Sequence, residues 1–214
     1  MKKIIFINIP MKELPEKNKI SYAHSGNTNY HYSEKVYYPI TTVMAGKIQQ
    51  DDEIKVVSIK TKTENDDTDT NERKLQSELK VIADIKRAHI QYECIEAPFV
   101  ETHKNNEIRL QKLLQSMEQD AEIYADITFG QKSLPMLLMC ALNFAEKFFN
   151  ANIRNIIYGK VEFAKDTEGN PILTNPELYD VTSLYYLNNL VGAMKASSGF
   201  EALKNLEQFF LLSK

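Results

Sequence analysis

Residues 125–136, "ADITFGQKSLPM", have the composition of a turn that binds small anions. Gly130 permits a sharp turn or a close approach of the backbone, and Pro135 suits the first turn of a following helix. The N-terminus of a helix offers unpaired N–H groups and a partial positive charge. Four side chains can add hydrogen bonds or charge, namely Thr128, Gln131, Lys132 and Ser133. Together these features predict a site for phosphate or another small anion.

The same residues are also compatible with a purely structural turn. Ser133 is a predicted helix N-cap, Lys132 can point into solvent, and Asp126 can orient the turn by accepting backbone N–H groups. The residues alone support the binding site and the structural turn equally. A P-loop is not indicated, because its pattern needs an earlier glycine and a glycine directly before the lysine, where this chain has Ala125 and Gln131.

The pattern of the whole chain places this turn in an α/β fold. Runs of apolar or alternating residues predict β-strands at 3–9, 53–59, 90–97, 121–127 and 153–161. Helical periodicity occurs at 39–49, around 75–85, around 108–117, at 134–150, and from about 183 to the C-terminus with a break near 197–199. Strands that alternate with helices predict a mostly parallel sheet with helices on both faces. The helix at 134–150 is apolar almost all round and is therefore predicted to be largely buried.

Three segments are predicted to lack regular structure. Residues 22–38 are rich in Tyr, His, Asn and Ser and predict an irregular or hairpin excursion. Residues 60–74 are strongly polar and predict a solvated loop. Within that run, Asp69 and Glu72 have the spacing of a capping box for the next helix. Residues 166–177 are rich in turn formers.

The composition argues against several classes of protein. The 214 residues carry a net charge of −3, which argues against a protein that coats DNA or RNA. The two cysteines, Cys94 and Cys140, match no metal or redox spacing and are interpreted as buried thiols of a cytoplasmic protein. The apolar segments are too short to span a membrane. We therefore expect a cytoplasmic protein that binds neither DNA nor a membrane.

No metal site or familiar catalytic motif is predicted. His24 and His31 are seven residues apart in the Tyr-rich excursion, but no third ligand accompanies them, so they are interpreted as surface or lid residues. The chain contains no G-x-S-x-G, H-E-x-x-H or G-x-G-x-x-G pattern. Parallel α/β folds bind ligands beyond the carboxyl ends of their strands. That rule selects the predicted loops at 8–11, 61–63 and 128–133, with a fourth at 158–162.

The segment "YADITFGQKSLPMLLMCAL" (124–142) resembles the signature of CRISPR-associated CARF-domain proteins, in the group named for an Asp-x-Thr-His-Gly motif. Five residues occupy matching places, namely Asp126, Thr128, Gly130, Ser133 and Pro135. The chain departs from the pattern at Phe129, where the family usually has His. It also has Gln131 and Lys132 where Phe and Arg are common.

Three further stretches extend the resemblance from the start of the chain to about residue 205. "KKIIFINIP" (2–10) is similar to the family's first strand and ligand loop. "IRNIIYGKVE" (153–162) is similar to the strand after the motif helix. "LYDVTSLYYLNNLVGAM" (178–194) is similar to the segment that leads into the closing helix.

The resemblance implies a Rossmann-like CARF ligand-sensing domain at 1–205, with 206–214 as a helix end or linker toward a possible C-terminal effector. Such a domain acts as a homodimer in which two copies of the strand-end loops bind one cyclic oligoadenylate, here cyclic tetra- or hexa-adenylate, with no cofactor. This ligand is the second messenger of type III CRISPR antiviral defence and allosterically controls the effector. The implied ligand-binding residues are Asn8, Ile9, Pro10, Thr128, Phe129, Gly130, Gln131, Lys132, Ser133, Tyr158 and Gly159.

Two alternatives stay open. Some stand-alone CARF proteins are ring nucleases that cleave the messenger without a metal. The ribose 2′-OH attacks the adjacent phosphate, and Lys132 and Ser133 are then the catalytic candidates. The second alternative is an unrelated α/β nucleotide-binding domain that shares the turn by chance.

Overall fold

The structure is a computed structural model that describes residues 1–23, 25–165, 167–169 and 171–212. Within these residues six strands form one sheet: β1 Lys2–Ile9, β2 Glu53–Lys62, β3 His89–Pro98, β4 Glu122–Asp126, β5 Asn152–Lys165 and β6 Pro171–Asp180. Their order is β3-β2-β1-β4-β5-β6. The first five are parallel, and β6 runs antiparallel to β5. The predicted α/β fold with a mostly parallel sheet is confirmed.

Helices cover both faces of the sheet. The helices of these layers are α1 Pro39–Lys47, α2 Thr68–Lys86, α3 His103–Gln115 and α4 Ser133–Phe148. Two further helices follow in the chain, α5 Thr182–Ala193 and α6 Gly199–Leu212. Ile5, Ile7 and Ile9 of β1 pack in one core with side chains of α1 and α2. The α3 and α4 helices contact each other and cover the other face, where Ile4 and Phe6 are buried. β1 is therefore apolar along nearly its whole length.

The order of the strands reverses between β1 and β4. The chain proceeds from β1 to β2 to β3, and α3 then returns it to place β4 on the other side of β1. Ile7 of β1 pairs with Asp126, the last residue of β4. The residues that follow them, Asn8 and Ile127, therefore meet at the carboxyl edge. A crevice at such a reversal is the usual ligand site of an open parallel sheet.

β6 corrects the prediction of a turn-rich segment at 166–177. Pro171–Asp180 is a strand that pairs with β5. Its two prolines are tolerated because β6 is the edge strand, where a missing N–H need not be paired. Asp126 of β4 lies level with Ile157, and β5 continues to Lys165. The hairpin of β5 and β6 consequently extends beyond the carboxyl edge of the sheet.

The polar run at 60–74 is the predicted solvated loop only at 63–67. β2 continues to Lys62, and α2 begins at Thr68. Lys60 is buried, with its Nζ 2.8 Å from Asp69 and 2.9 Å from Glu72. Asp69, in the first turn of α2, therefore pairs with Lys60 and Lys62 of β2. Asp67 holds the N-cap position of the helix instead. Opposite charges that pair with each other allow this polar stretch to fold against the sheet.

Two burial predictions are partly or wholly wrong. Cys94 and Cys140 are both exposed, not buried. The inner face of α4 is buried as predicted, but Met136 is 72% exposed and Phe148 is 60% exposed. The predicted all-round burial of α4 is therefore limited to the face that meets the sheet.

The chain divides into two compact units, Met1–Thr182 and Ser183–Lys214. The first contains the sheet with α1 to α4, and the second contains nearly all of α5 and the whole of α6. The boundary predicted near residue 205 falls inside α6. In the part of the chain that the structure describes, no helix is long and apolar enough to cross a membrane.

A buried ion pair fixes the amino edge of the sheet, opposite the crevice between β1 and β4. Lys3 of β1 places its Nζ 2.6 Å from the carboxylate of Asp52, and both side chains are buried. The Asp52 carboxylate also accepts the N–H of Gln49 at 2.8 Å and lies 3.2 Å from the N-terminal amine. The pair therefore ties the start of β1 to the turn before β2.

We expect Asp52→Ala to lower the free energy of unfolding by about 3–5 kcal/mol, because the buried Lys3 ammonium loses its nearest carboxylate and keeps only that of Glu122, 3.6 Å away. Urea denaturation measures this change. The matched control is Asp84→Ala, which removes an exposed pair with Lys80 and should cost less than about 1 kcal/mol. Equal losses in the two variants would contradict the role given to Asp52.

Candidate ligand-binding site

The carboxamide of Asn8 is a buried polar group without a partner. Asn8 lies at the end of β1 and is only 1% exposed. Neither its Nδ2 nor its Oδ1 has a hydrogen-bond partner among the described residues. An unpaired amide in a protein interior costs about 1–3 kcal/mol. Most buried polar groups are satisfied, so one that is not needs a reason other than folding stability.

Gly130 brings the turn after β4 directly onto Asn8. Its φ is +100°, a conformation that favours glycine. A Cβ atom at this position would lie 3.0 Å from the Cβ of Asn8 and 3.0 Å from Cδ1 of Leu134. Two predicted site residues, Asn8 and Gly130, are therefore in contact at the crevice between β1 and β4.

Asp126 holds this turn in place through a hydrogen bond. Its buried carboxylate accepts the N–H of Thr128 at 2.9 Å and the N–H of Ile40 at 3.1 Å. Burial raises the pKa of Asp126 to about 6, although these hydrogen bonds oppose the rise. The hydroxyl of Thr128 in turn accepts the N–H of Gly159 at 2.8 Å. Asp126 thus positions the turn and does not itself reach the surface.

Gly159 and Tyr158 lie on β5 beside the turn. A Cβ at Gly159 would lie 2.4 Å from Cγ of Pro39, so only glycine fits at this contact between β5 and α1. Tyr158 is exposed. Of these two predicted site residues, Gly159 is hydrogen-bonded to Thr128 of the turn, and Tyr158 has a side chain that solvent can reach.

Arg109 of α3 is a site residue that the sequence did not reveal. Its guanidinium is buried and donates from Nη2 to Oε1 of Gln131 at 3.1 Å and to the carbonyl of Pro98. Nη1 donates to Oδ1 of Asn106 at 3.1 Å, and Nε has no partner among the described residues. Burial lowers the pKa of Arg109, and nearby Glu101 partly offsets this. An arginine keeps its charge in a protein, so a positive charge lies directly behind Gln131.

The loop before α3 holds the two polar side chains at the start of α4. Nε2 of Gln131 donates to the carbonyl of Phe99 at 2.6 Å, and the hydroxyl of Ser133 donates to the carboxylate of Glu101. The prediction that Ser133 caps α4 is wrong, because Lys132 occupies the N-cap position. The side chain of Lys132 is exposed. A ligand anion would have to replace Glu101 as the partner of Ser133.

The remaining predicted residues form the frame of the site. Phe129 packs edge-on against Tyr38 with ring centroids 5.7 Å apart. Ile9 is buried in the core between β1 and the helices α1 and α2. The carbonyl of Pro10 accepts Nδ2 of Asn71 at 2.8 Å. Asn71 is buried and holds the loop after β1 to α2, a role that no sequence pattern indicated.

The site therefore combines a buried amide, a glycine turn, a helix N-terminus and two cations, Arg109 and Lys132. This set favours a polar ligand that carries negative charge. In the described ranges, no group of three or more His, Cys, Asp or Glu side chains is placed to hold a metal ion. His24, predicted as a surface or lid residue, lies outside the described residues.

Comparison of the sequence with protein-family models found no match, and a search of curated proteins found no similar sequence.

We expect Asn8→Leu to leave the free energy of unfolding unchanged or to raise it by about 1–3 kcal/mol, because it removes a buried amide that has no partner. The matched control is Asn71→Leu, which removes three hydrogen bonds from an equally buried asparagine. That variant should lose about 1–3 kcal/mol or more. Thermal and urea denaturation measure both changes. A similar loss in both variants would mean that Asn8 has a structural partner.

We expect the stability of the protein to carry a pH dependence from Asp126. The pKa of this group is about 6 in the folded chain against an ordinary value of 3.8, so the folded state binds the proton more tightly. The resulting stabilisation is complete below about pH 4 and is lost as the pH rises through about 6. Between about pH 4 and pH 7 the wild type should lose roughly 2–3 kcal/mol relative to Asp126→Asn, which does not titrate. Parallel stability curves for the two proteins would contradict the shift.

Proposed function

We propose that the chain is a CARF sensor domain that binds a cyclic oligoadenylate as a homodimer and thereby controls an effector in type III CRISPR antiviral defence. The observation that carries the proposal is the unpaired, buried carboxamide of Asn8 beneath the Gly130 turn. It lies at the strand reversal where an open parallel sheet binds its ligand. A carboxamide offers an NH2 donor group beside a carbonyl acceptor, and this pair matches the N6 and N7 edge of an adenine base.

The charges around the turn suit the phosphates of such a ligand. The buried Arg109 lies behind Gln131, and Lys132 lies exposed at the N-terminus of α4. Arginine and lysine are the usual phosphate-binding side chains, and a helix N-terminus adds its own N–H groups. Glu101 accepts the hydroxyl of Ser133, so a phosphate would compete with Glu101 for the same donor.

Ligand entry requires the turn to move, because it covers the amide of Asn8. The turn is tied by Asp126 to α1 and through Thr128 to β5. A shift of the turn would therefore displace groups that contact both α1 and β5. This is the conformational change that a sensor of this kind needs to pass a signal to an effector.

An exposed row of apolar side chains on α4 supports the homodimer. Met136, Cys140, Phe144 and Phe148 are spaced four residues apart and are all exposed. Residues four apart form one ridge along a helix. Contact between two such ridges around a two-fold axis parallel to the helices would bring two copies of the α4 N-terminus together. A cyclic ligand with repeating phosphates would then meet the same groups twice.

The decisive experiment measures binding of cyclic tri-, tetra- and hexa-adenylate by titration calorimetry. We expect one ring size to bind at one ring per two chains. Asn8→Leu should bind at least about 100-fold more weakly, since it loses a buried donor and a buried acceptor that make no hydrogen bond within the described chain. Lys132→Ala should bind about 10-fold more weakly, and the control Lys86→Ala, an exposed lysine on α2, should bind normally.

Analysis of the ligand after long incubation separates the alternatives. An intact ring supports a sensor. Linear products that disappear in Lys132→Ala or Ser133→Ala would instead establish the ring nuclease. No binding to any ring would overturn both ideas, and binding of mononucleotides alone would point to an unrelated nucleotide-binding domain.

A further inference from the structure

The C-terminal unit, Ser183–Lys214, leaves an unusual amount of apolar surface in contact with solvent. None of the residues Gly199–Leu212 that form α6 is buried, although Phe200, Leu203 and Leu212 are large apolar residues. Phe200 is 88% exposed and Leu212 is 89% exposed. A helix of a globular protein normally buries its apolar stripe. The stripe on α6 therefore calls for a covering surface.

The two helices of the unit, α5 and α6, form an apolar groove between them. Its volume is about 460 Å³. The lining includes Leu184, Leu187 and Leu190 on α5 and Phe209 on α6. The surface is almost wholly apolar, so it suits the ridge of an apolar helix better than a polar ligand.

We propose that this groove receives α6 of a second copy of the chain, so that the two α5–α6 pairs form a four-helix bundle around a two-fold axis. The geometry is self-complementary, because one unit carries both the apolar groove and the apolar helix that fills it. Two-fold interfaces of this kind use the same patch on both chains. Four-helix bundles hold apolar side chains from all four helices in one core.

The exposed area is sufficient for a stable dimer. Nine large apolar residues of the unit are exposed by between 42% and 89%. At roughly 150–250 Å² for a fully exposed aromatic residue, and less for leucine and valine, they present on the order of 1,000 Å². The largest apolar patch on a typical monomer is about 300–600 Å², and a standard interface buries about 800 Å² on each partner. The surface on α5 and α6 thus exceeds what a monomer usually leaves open.

The charges of the unit favour a second copy over a membrane. Between Ser183 and Leu212 the sequence has two lysines, Lys195 and Lys204, and two glutamates, Glu201 and Glu207. Because this surface is neutral overall, two copies meet without net repulsion. A helix that lies on an anionic membrane normally carries an excess of lysine and arginine on its polar face. A pair of helices of about 30 residues is also too small to bury a core of its own.

Sedimentation velocity of the nucleotide-free protein tests the proposal, with Leu203→Glu on α6 as the disrupting variant. The matched control is Ile85→Glu, which places the same charge at a 73% exposed site on α2. We expect Leu203→Glu to weaken self-association at least 10-fold and Ile85→Glu to leave it unchanged. Since Leu203 is exposed, circular dichroism should show both variants folded as the wild type is. A wild type that stays monomeric, or an unchanged mass in Leu203→Glu, would overturn the proposal.

Cross-linking distinguishes this interface from a dimer through α4. In a Cys94→Ser, Cys140→Ser background, a chain with Leu187→Cys is mixed with a differently tagged chain with Leu206→Cys and oxidised. We expect a disulfide-linked pair of the two chains, because α6 of one lies in the groove of the other. Ile85→Cys in place of Leu206→Cys should give none. Equal cross-linking of both, or flotation of a monomer with neutral or anionic phospholipid vesicles, would overturn the proposal.

Discussion

The buried carboxylate of Asp126 joins three elements that meet at the crevice. It accepts one N–H from the start of α1 and one from the turn after β4. The turn is joined to β5 through Thr128. The carboxylate is fully buried with no ammonium or guanidinium paired to it among the described residues, so its two N–H partners must compensate for its burial. Without them the Gly130 turn would have no fixed position over Asn8.

Much of the fold follows from local patterns. Continuous apolar runs identified the buried parallel strands, and helical periodicity identified the helices between them, because both patterns record which faces lose contact with water. The strand β6 was missed since Pro171 and Pro176 look like turn residues unless the strand is known to lie at an edge. Lys60 was assigned to solvent because its partners, Asp69 and Glu72, lie on a helix whose packing the sequence does not state.

Only part of the candidate site could be predicted from the sequence. The rule for strand ends and the motif after β4 selected both Asn8 and Gly130, and the structure places them in contact. That the amide of Asn8 has no partner depends on every neighbouring side chain and could not be predicted. Arg109 lies in an ordinary amphipathic helix, and only the position of α3 brings it to Gln131. Such residues have no local signature because their role is created by tertiary packing.

The hairpin of β5 and β6 makes the surroundings of the crevice asymmetric. β5 runs from Tyr158 to Lys165 beyond the last residue of β4, a distance of roughly 25 Å in an extended strand. On that side the site has a two-stranded wall, whereas the β1 side is bordered by the start of the connection at 10–38, which Asn71 holds to α2. Anything that binds at the crevice therefore has the hairpin beside it on the β5 side, so the two sides of its binding surface differ before any specific contact forms.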